Sequence, residues 1–237
     1  MQNKRIPVQV SIDSGPDQIR SIAEYRDLAP GYDASCRLID HIRRAAVDAL
    51  ELRAGETVLD IACGTGATLP ELAARVGPRG KVIGIDHSPE MTIVARQRIA
   101  TAGARNIEII LGPAESVHIA GRADAVLFCF AHDILQSATA LDNIFSMARN
   151  GARVASVGAK LSGHWWSAPL DHWVRWRGQR YRTTNRGLAC PWAPLQDYCA
   201  DLRITDTFHL GTSYLAYGTH SKDAKFSSHR RNSSLKP

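Results

Sequence analysis

Thr57-Val58-Leu59-Asp60-Ile61-Ala62-Cys63-Gly64-Thr65-Gly66 is the stretch on which the fold turns. A short apolar run closes on an acidic residue and opens into a glycine-rich turn. Leu69, Leu72, Ala73 and Val76 then recur at helical spacing, and Gly77-Pro78-Arg79-Gly80 stops that helix. Downstream, Lys81 to Ile85 reads as a second strand ending at Asp86. Ser88 caps a helix with Pro89 at its first position, where the missing N–H is not needed. Ile107 to Leu111 and Asp124 to Phe130 are the third and fourth strands. Ser137 caps a helix through Leu141, Ile144, Phe145 and Ala148; Asn150-Gly151 ends it, and Arg153 to Val157 is a fifth strand. Upstream, Asp33-Ala34-Ser35 supplies N-cap chemistry for an amphipathic helix through Leu38, Ile39, Ile42, Ala45, Ala46 and Ala49, ending near Leu52.

Strand and helix alternate throughout residues 57–158, which predicts an α/β protein: a Rossmann-like, doubly wound, mostly parallel sheet. Arg203 to Leu210, Gly211 and Thr212 to Tyr217 add a C-terminal antiparallel hairpin with a minimal turn. An aromatic-rich helical cap occupies about residues 159–200. The expected organisation is one domain over 1–218 followed by a basic, disordered tail over 219–237.

Composition agrees. A chain of 237 residues with 44% hydrophobic and 22% charged residues can bury a core without disulfides or a structural metal. No apolar run approaches the ~20 residues that a membrane helix needs, and a soluble, cytoplasmic protein is the simplest expectation. The five cysteines are scattered and form no C-x-x-C pair, so no metal is proposed. The net charge of +6 is concentrated: residues 161–187 and 219–237 each carry five Lys/Arg against one Asp, which leaves the remainder slightly acidic. The body is therefore no basic platform for nucleic acid.

In a doubly wound sheet, ligands sit beyond the carboxyl ends of the strands. The Gly64/Gly66 turn lies at such an end, and Asp86, twenty positions after Gly66, is placed to accept hydrogen bonds from ribose hydroxyls. A dinucleotide fingerprint requires a third small residue, but here Gly64-Thr65-Gly66-Ala67-Thr68 is followed by Leu69. The motif Val58 to Gly66, with Gly84-Ile85-Asp86 and Ser88-Pro89-Glu90-Met91, instead resembles the class I S-adenosylmethionine-dependent methyltransferases. Tyr25 to Tyr32-Asp33 and the general layout are similar to the ubiquinone/menaquinone-biosynthesis type and related small-molecule methyltransferases.

That resemblance implies S-adenosylmethionine as cofactor. Asp60, Ala62, Cys63 and the Gly64/Gly66 backbone would hold its methionine end, with Tyr25 or Tyr32 reaching the carboxylate. Asp86 would grip the ribose, beside His87, and Met91 would pack on the adenine. The family's third motif often reads Gly-Asp-Ala-Glu, whereas this chain has Gly112-Pro113-Ala114-Glu115. Proline offers no side-chain acceptor and no N–H, so adenine contact falls to the backbone around Ala114, to Glu115, or elsewhere.

The fourth strand ends Phe130-Ala131-His132-Asp133, where an acceptor would sit. His132 and Asp133 are the candidate catalytic residues, with no His–Asp relay implied by their adjacency; His132 reads equally as a packing residue, and Asp133 as a helix cap. Phe130, His164, Trp165, Trp166 and Trp173 are the candidate substrate contacts. Leu170, Trp173, Val174 and Arg177 share one face of a helix starting near Pro169. Three readings of this segment stay open: a cap filling its own core, an aromatic substrate lid, and a membrane-surface helix. The chain lacks the Asn/Asp-Pro-Pro-aromatic turn and the Pro-Cys nucleophile of base-modifying enzymes, which disfavours DNA or RNA as the acceptor by those routes. The expected activity is methyl transfer to an oxygen, nitrogen or carbon of a small aromatic or conjugated molecule. The rivals are a nicotinamide-dependent oxidoreductase and a non-catalytic, RNA-associated cofactor-binding protein. The oligomeric state is left open.

Overall fold

The architecture is described from a computed structural model, over residues 16–28, 37–164, 167–179 and 181–224. Helix α1 is Gln18–Leu28, and a 3-10 turn (Arg37–Ile39) leads into α2 (Asp40–Ala49). Then follow β1 (Thr57–Ile61), α3 (Leu69–Val76), β2 (Lys81–Asp86), α4 (Pro89–Ala102), β3 (Ile107–Leu111) and β4 (Ala123–Cys129). A short α5 (His132–Leu135) precedes α6 (Ala138–Ser146), β5 (Ala148–Ala159), α7 (Ala168–Gly178), β6 (Arg203–Phe208) and β7 (Ser213–Thr219).

The seven strands lie in the order β3-β2-β1-β4-β5-β7-β6. The first five are parallel, and β7 runs antiparallel to both β5 and β6. Strand order reverses between β1 and β4, so the crevice beyond Ile61 and Cys129 is the switch point where such sheets bind ligands.

The apolar strand runs are buried on both faces, as a sheet with helices on each side requires. Val58, Val82, Ala125, Leu127 and Val157 face α2 and α3, including all four residues of the Leu69/Leu72/Ala73/Val76 stripe. Their neighbours Leu59, Ile83, Val126, Phe128 and Val154 face α6 through Leu141, Ile144 and Phe145. Phe145 also stacks on Tyr198 with centroids 4.4 Å apart. Ser88 and Ser137 cap α4 and α6, accepting hydrogen bonds from the Met91 and Ala140 amides.

Two expected boundaries are corrected. Helix α6 ends at Ser146, and Asn150-Gly151 lies within β5, which begins at Ala148. The β4–β5 register jumps from Ala123↔Ala148 to Ala125↔Arg153, and Gly151, at φ 84°, takes the left-handed conformation such a bulge needs. The hairpin turn is also longer than a single Gly211: residues 209–212 connect the strands, with His209 and Leu210 left-handed beside that glycine. The chain stays packed beyond Gly218, since His220 pairs with Cys199 and Ala224 is buried. The Asp33-Ser35 cap, Tyr32, Trp165, Trp166 and residues 225–237 lie outside the described residues, as does the Tyr25 side chain. No described helix is long and apolar enough to cross a membrane.

Candidate active site

The turn after β1 is built from left-handed residues: Ala62 (φ 55°), Gly64 (φ 55°) and Gly66 (φ 72°). The Cys63 amide donates to the Ile85 carbonyl and the Gly66 amide to the Cys63 carbonyl, closing the turn. The two glycines serve different needs. At Gly64 an added Cβ would meet nothing, so that side of the turn is open toward the crevice. At Gly66 it would come within 2.9 Å of Leu69 and 3.1 Å of Ala95. The second glycine therefore permits close helix packing, and Leu69 is seated on it.

Asp86 is the pivot of this region. Its Oδ2 accepts from the Gly64 amide and its Oδ1 from the Ser88 amide, both at 2.8 Å, joining the glycine turn to the start of α4. Burial raises its pKa, against the opposing pull of those amides. Asp60 is fully buried. The Thr68 hydroxyl donates to its Oδ2, while Oδ1 has no hydrogen-bond partner. Desolvation, reinforced by the nearby Asp86 charge, pushes the Asp60 pKa up to about 7. A cation arriving at that bare oxygen would favour the ionised form. The Cys63 side chain packs against Gly84, and burial, Asp86 and Asp60 hold its thiol well above the usual range. Met91 is buried in the first turn of α4.

Beside this turn lies a small cavity of about 30 Å³, lined by His87, Pro113, Ala114, Glu115, Asp133 and Ile134 and covered by Pro16, Asp17 and Ser21 at the start of α1. His87 Nε2 and Glu115 Oε2 are buried without partners. Glu115 Oε1 accepts from the Ser137 hydroxyl, and the Ala114 carbonyl is taken by the Asn143 amide. Of the adenine contacts left by Pro113, Glu115 thus keeps a bare oxygen. Asp60, His87 and Glu115 each keep a buried polar atom without a partner, the kind of group a charged nucleoside such as S-adenosylmethionine could satisfy; His87 and Glu115 line the small cavity, and Asp60 stands outside its lining.

A second cavity, about 510 Å³, opens on the other side of the β4 terminus. Phe130, Ala131 and His132 form one wall, and Val157, Gly158 and Ala159 continue it. Helix α7 closes it with Leu170, Trp173, Val174 and Arg177, the four residues whose common face was expected from their spacing. Phe130 is left-handed (φ 57°), with its amide donating to Val157. Trp173 is half exposed, and His164 is exposed and outside the lining. Neither imidazole nitrogen of His132 makes a well-formed hydrogen bond. Burial, with the Arg182 charge added to it, holds His132 below the usual histidine range against the pull of Asp133 and the Arg186 backbone.

His132 and Asp133 are not a pair. Asp133 turns to the small cavity, where its Oδ2 accepts from both the amide and hydroxyl of Thr183 at 2.7 Å. The Thr183 hydroxyl in turn accepts from the Asp17 amide. One side chain thereby ties the β4 terminus, the cap and the start of α1, and no local sequence signal marks it. Arg182, Tyr181, Leu188 and Tyr214 also line the large cavity, and none of them is among the candidate substrate contacts named from the sequence. Tyr214 is marked only by its place on the inward face of β7, with its hydroxyl 3.0 Å from that of Ser156.

Residues 52–167 match the family described as "Methyltransferase domain". Among curated proteins, the arsenite methyltransferase of Halobacterium salinarum is 36% identical over 103 residues, 43% of this chain and 26% of that protein. The demethylmenaquinone methyltransferase of Lactococcus lactis is 33% identical over 44% of this chain and 42% of its own length. The aklanonic acid methyltransferase of Streptomyces sp. (strain C5) is 38% identical over 47% of this chain and 52% of its own. The matched segment thus spans a quarter to a half of these relatives. Among solved structures, a SAM-dependent methyltransferase from Aquifex aeolicus covers 84% of this chain and is itself covered to 98%, with a TM-score of 0.58 at 20% identity. A Haloferax volcanii putative methyltransferase, solved with the activator Trm112, reaches 0.66 at 17% identity over 85% of this chain and 97% of its own. These two likenesses concern the fold.

Proposed function

We propose that this protein, whose residues 52–167 match a family described as a methyltransferase domain, transfers a methyl group from S-adenosylmethionine to a small molecule held in the large cavity. The observation that carries this is the β4 terminus. His132 lines the large cavity and Asp133, the next residue, lines the small one beside the nucleoside site. A donor and an acceptor placed on either side of that terminus would be brought to reacting distance, and positioning supplies much of the acceleration in such a displacement.

S-adenosylmethionine, when bound, supplies a methyl group on a sulfonium, an electrophile with a neutral leaving group. Asp60, with its bare Oδ1, would face the ammonium of the methionine end. Asp86 would accept from the ribose hydroxyls while holding the Gly64 turn, and Glu115 and His87 would meet the adenine side. Thr183 positions the cap and α1 over both ligands through Asp133. His132, kept neutral by burial, is the base for a nucleophile that arrives as a hydroxyl or amine. The aromatic and apolar lining favours a flat, conjugated acceptor, in keeping with the demethylmenaquinone and aklanonic acid of two relatives' names.

The experiment is to follow S-adenosylhomocysteine release across a panel of hydroxylated aromatic acceptors. His132→Ala should lower turnover by about 100-fold, the usual scale of lost general-base catalysis, and leave cofactor affinity within about twofold. In the parent, turnover should fall as the pH drops through the depressed His132 pKa, because protonation removes the base. Loss of cofactor affinity with unchanged turnover would move His132 to the nucleoside side and overturn the assignment.

A further inference from the structure

We infer that the large cavity takes its acceptor as an anion, a flat apolar molecule bearing one carboxylate or ionised enol or phenol, with the Arg182 guanidinium as its anchor. This rests on the methyl-transfer reading and names the substrate class of that same site. Among the described residues the cavity's charge has one sign: its ionisable lining comprises Arg177, Arg182, His132, His209 and two tyrosines, with no Asp or Glu. Nearly all the rest is aliphatic or aromatic, so an anion inside would meet cationic groups in a setting that screens them little.

Arg182 is the buried member of that set, 7% exposed. Its Nη2 donates to the Val174 and Arg175 carbonyls at 3.0 and 3.2 Å, and its Nε to Asn185 Oδ1 at 2.9 Å. All three acceptors are neutral. They fix the guanidinium and leave its charge uncompensated at hydrogen-bond range. The nearby carboxylate, Asp133, lines the other cavity and commits Oδ2 to Thr183. Burial accordingly draws Arg182 down to about 10, even with Asp133 pulling it upward. A desolvated cation held only by neutral groups gains from an incoming anion.

The geometry is also set in advance. A Cβ on Gly178 would fall 1.6 Å from Nη1 of Arg182, so the missing side chain at the end of α7 is what lets the guanidinium seat there. A group already held in place loses little entropy when a ligand pairs with it. His132, which feels the Arg182 charge, lines the same cavity, so an acidic group on Arg182 would bring the adjoining part of the acceptor toward the imidazole.

The test compares 2-naphthoate with 2-naphthamide, which share a ring and differ in charge, binding to the full chain at pH 7.5 with saturating S-adenosylhomocysteine. The parent should bind 2-naphthoate at least about tenfold more tightly, the scale of one charge-assisted pair. Arg182→Gln should abolish that preference and leave 2-naphthamide within about twofold; Arg182→Lys should retain part of it. Equal affinity of the parent for the two probes would overturn the inference, and that comparison needs no variant to fold. So would an equal loss of both probes in Arg182→Gln, which would make Arg182 a strut for α7 alone. Binding of S-adenosylhomocysteine is read in the same cell. If it fails while the naphthoate preference stands, the methyl-transfer reading falls and the anion site remains; the reverse result removes only the anion site.

Discussion

Asp86→Ala is expected to weaken S-adenosylmethionine binding by about 10- to 100-fold, the range for losing a charged hydrogen bond and its local order. The carboxylate does two things at once. In the proposed function it offers lone pairs to the ribose, and it holds the Gly64 and Ser88 amides at 2.8 Å, fixing the glycine turn against the start of α4. Removing it strands two N–H groups in a buried place, so the free protein should lose about 2–4 kcal/mol as well. Asp86→Asn keeps one acceptor oxygen and should fall between. Calorimetric titration with parallel urea denaturation separates the effects. A folded Asp86→Ala variant with unchanged affinity would remove Asp86 from the nucleoside site.

The second large effect divides the two glycines. Gly66→Ala should cost about 2–4 kcal/mol, combining a left-handed residue with overpacking. Its new Cβ would press on Leu69 and on the Ala95 backbone, 2.9 and 3.3 Å away. Gly64→Ala meets no neighbour and should cost only about 1 kcal/mol for its positive φ. Its methyl would stand on the open side of the turn, so its main effect should be on cofactor affinity. Stability is read by denaturation midpoints and affinity by calorimetry. Equal stability losses at the two positions would contradict the division of roles.

That division also shows where sequence stops being legible. The pattern glycine, any residue, glycine is visible at 64–66, yet which glycine faces a ligand and which faces a helix depends on Ala95, far along the chain. Strand alternation was readable because the apolar runs of β1, β2 and β4 are buried on both faces, and the caps at Ser88 and Ser137 were readable because capping is local chemistry. The start of β5 was not: Asn150-Gly151 is a turn signal that tertiary pairing converts into a bulge. The α7 stripe of Leu170, Trp173, Val174 and Arg177 was legible from helical spacing alone. That it closes over a cavity, with Trp173 and Trp176 left exposed and not packed in a core, followed only from the fold.

The acceptor side separates in the same way. Adjacent residues of a helical turn lie about 100° apart around its axis, and His132 and Asp133, at the start of α5, face separate cavities for that reason. Arg182 and Thr183 carry no motif. Their roles come from meeting Asp133, some fifty positions earlier, and the end of α7. The contact between the glycine turn and its acidic partner, Gly64 and Asp86, was legible because one βαβ unit joins them. The acceptor site draws on β4, β5, α7 and the hairpin turn, and so depends on contacts that no local pattern encodes.

The most direct measurement is a calorimetric titration of the full chain with S-adenosylmethionine, S-adenosylhomocysteine and NAD in parallel. Micromolar binding of both sulfur nucleosides, with no heat from NAD, is the expected result. Binding of NAD alone would contradict the account, leaving the sheet intact and its reading as a methyltransferase wrong.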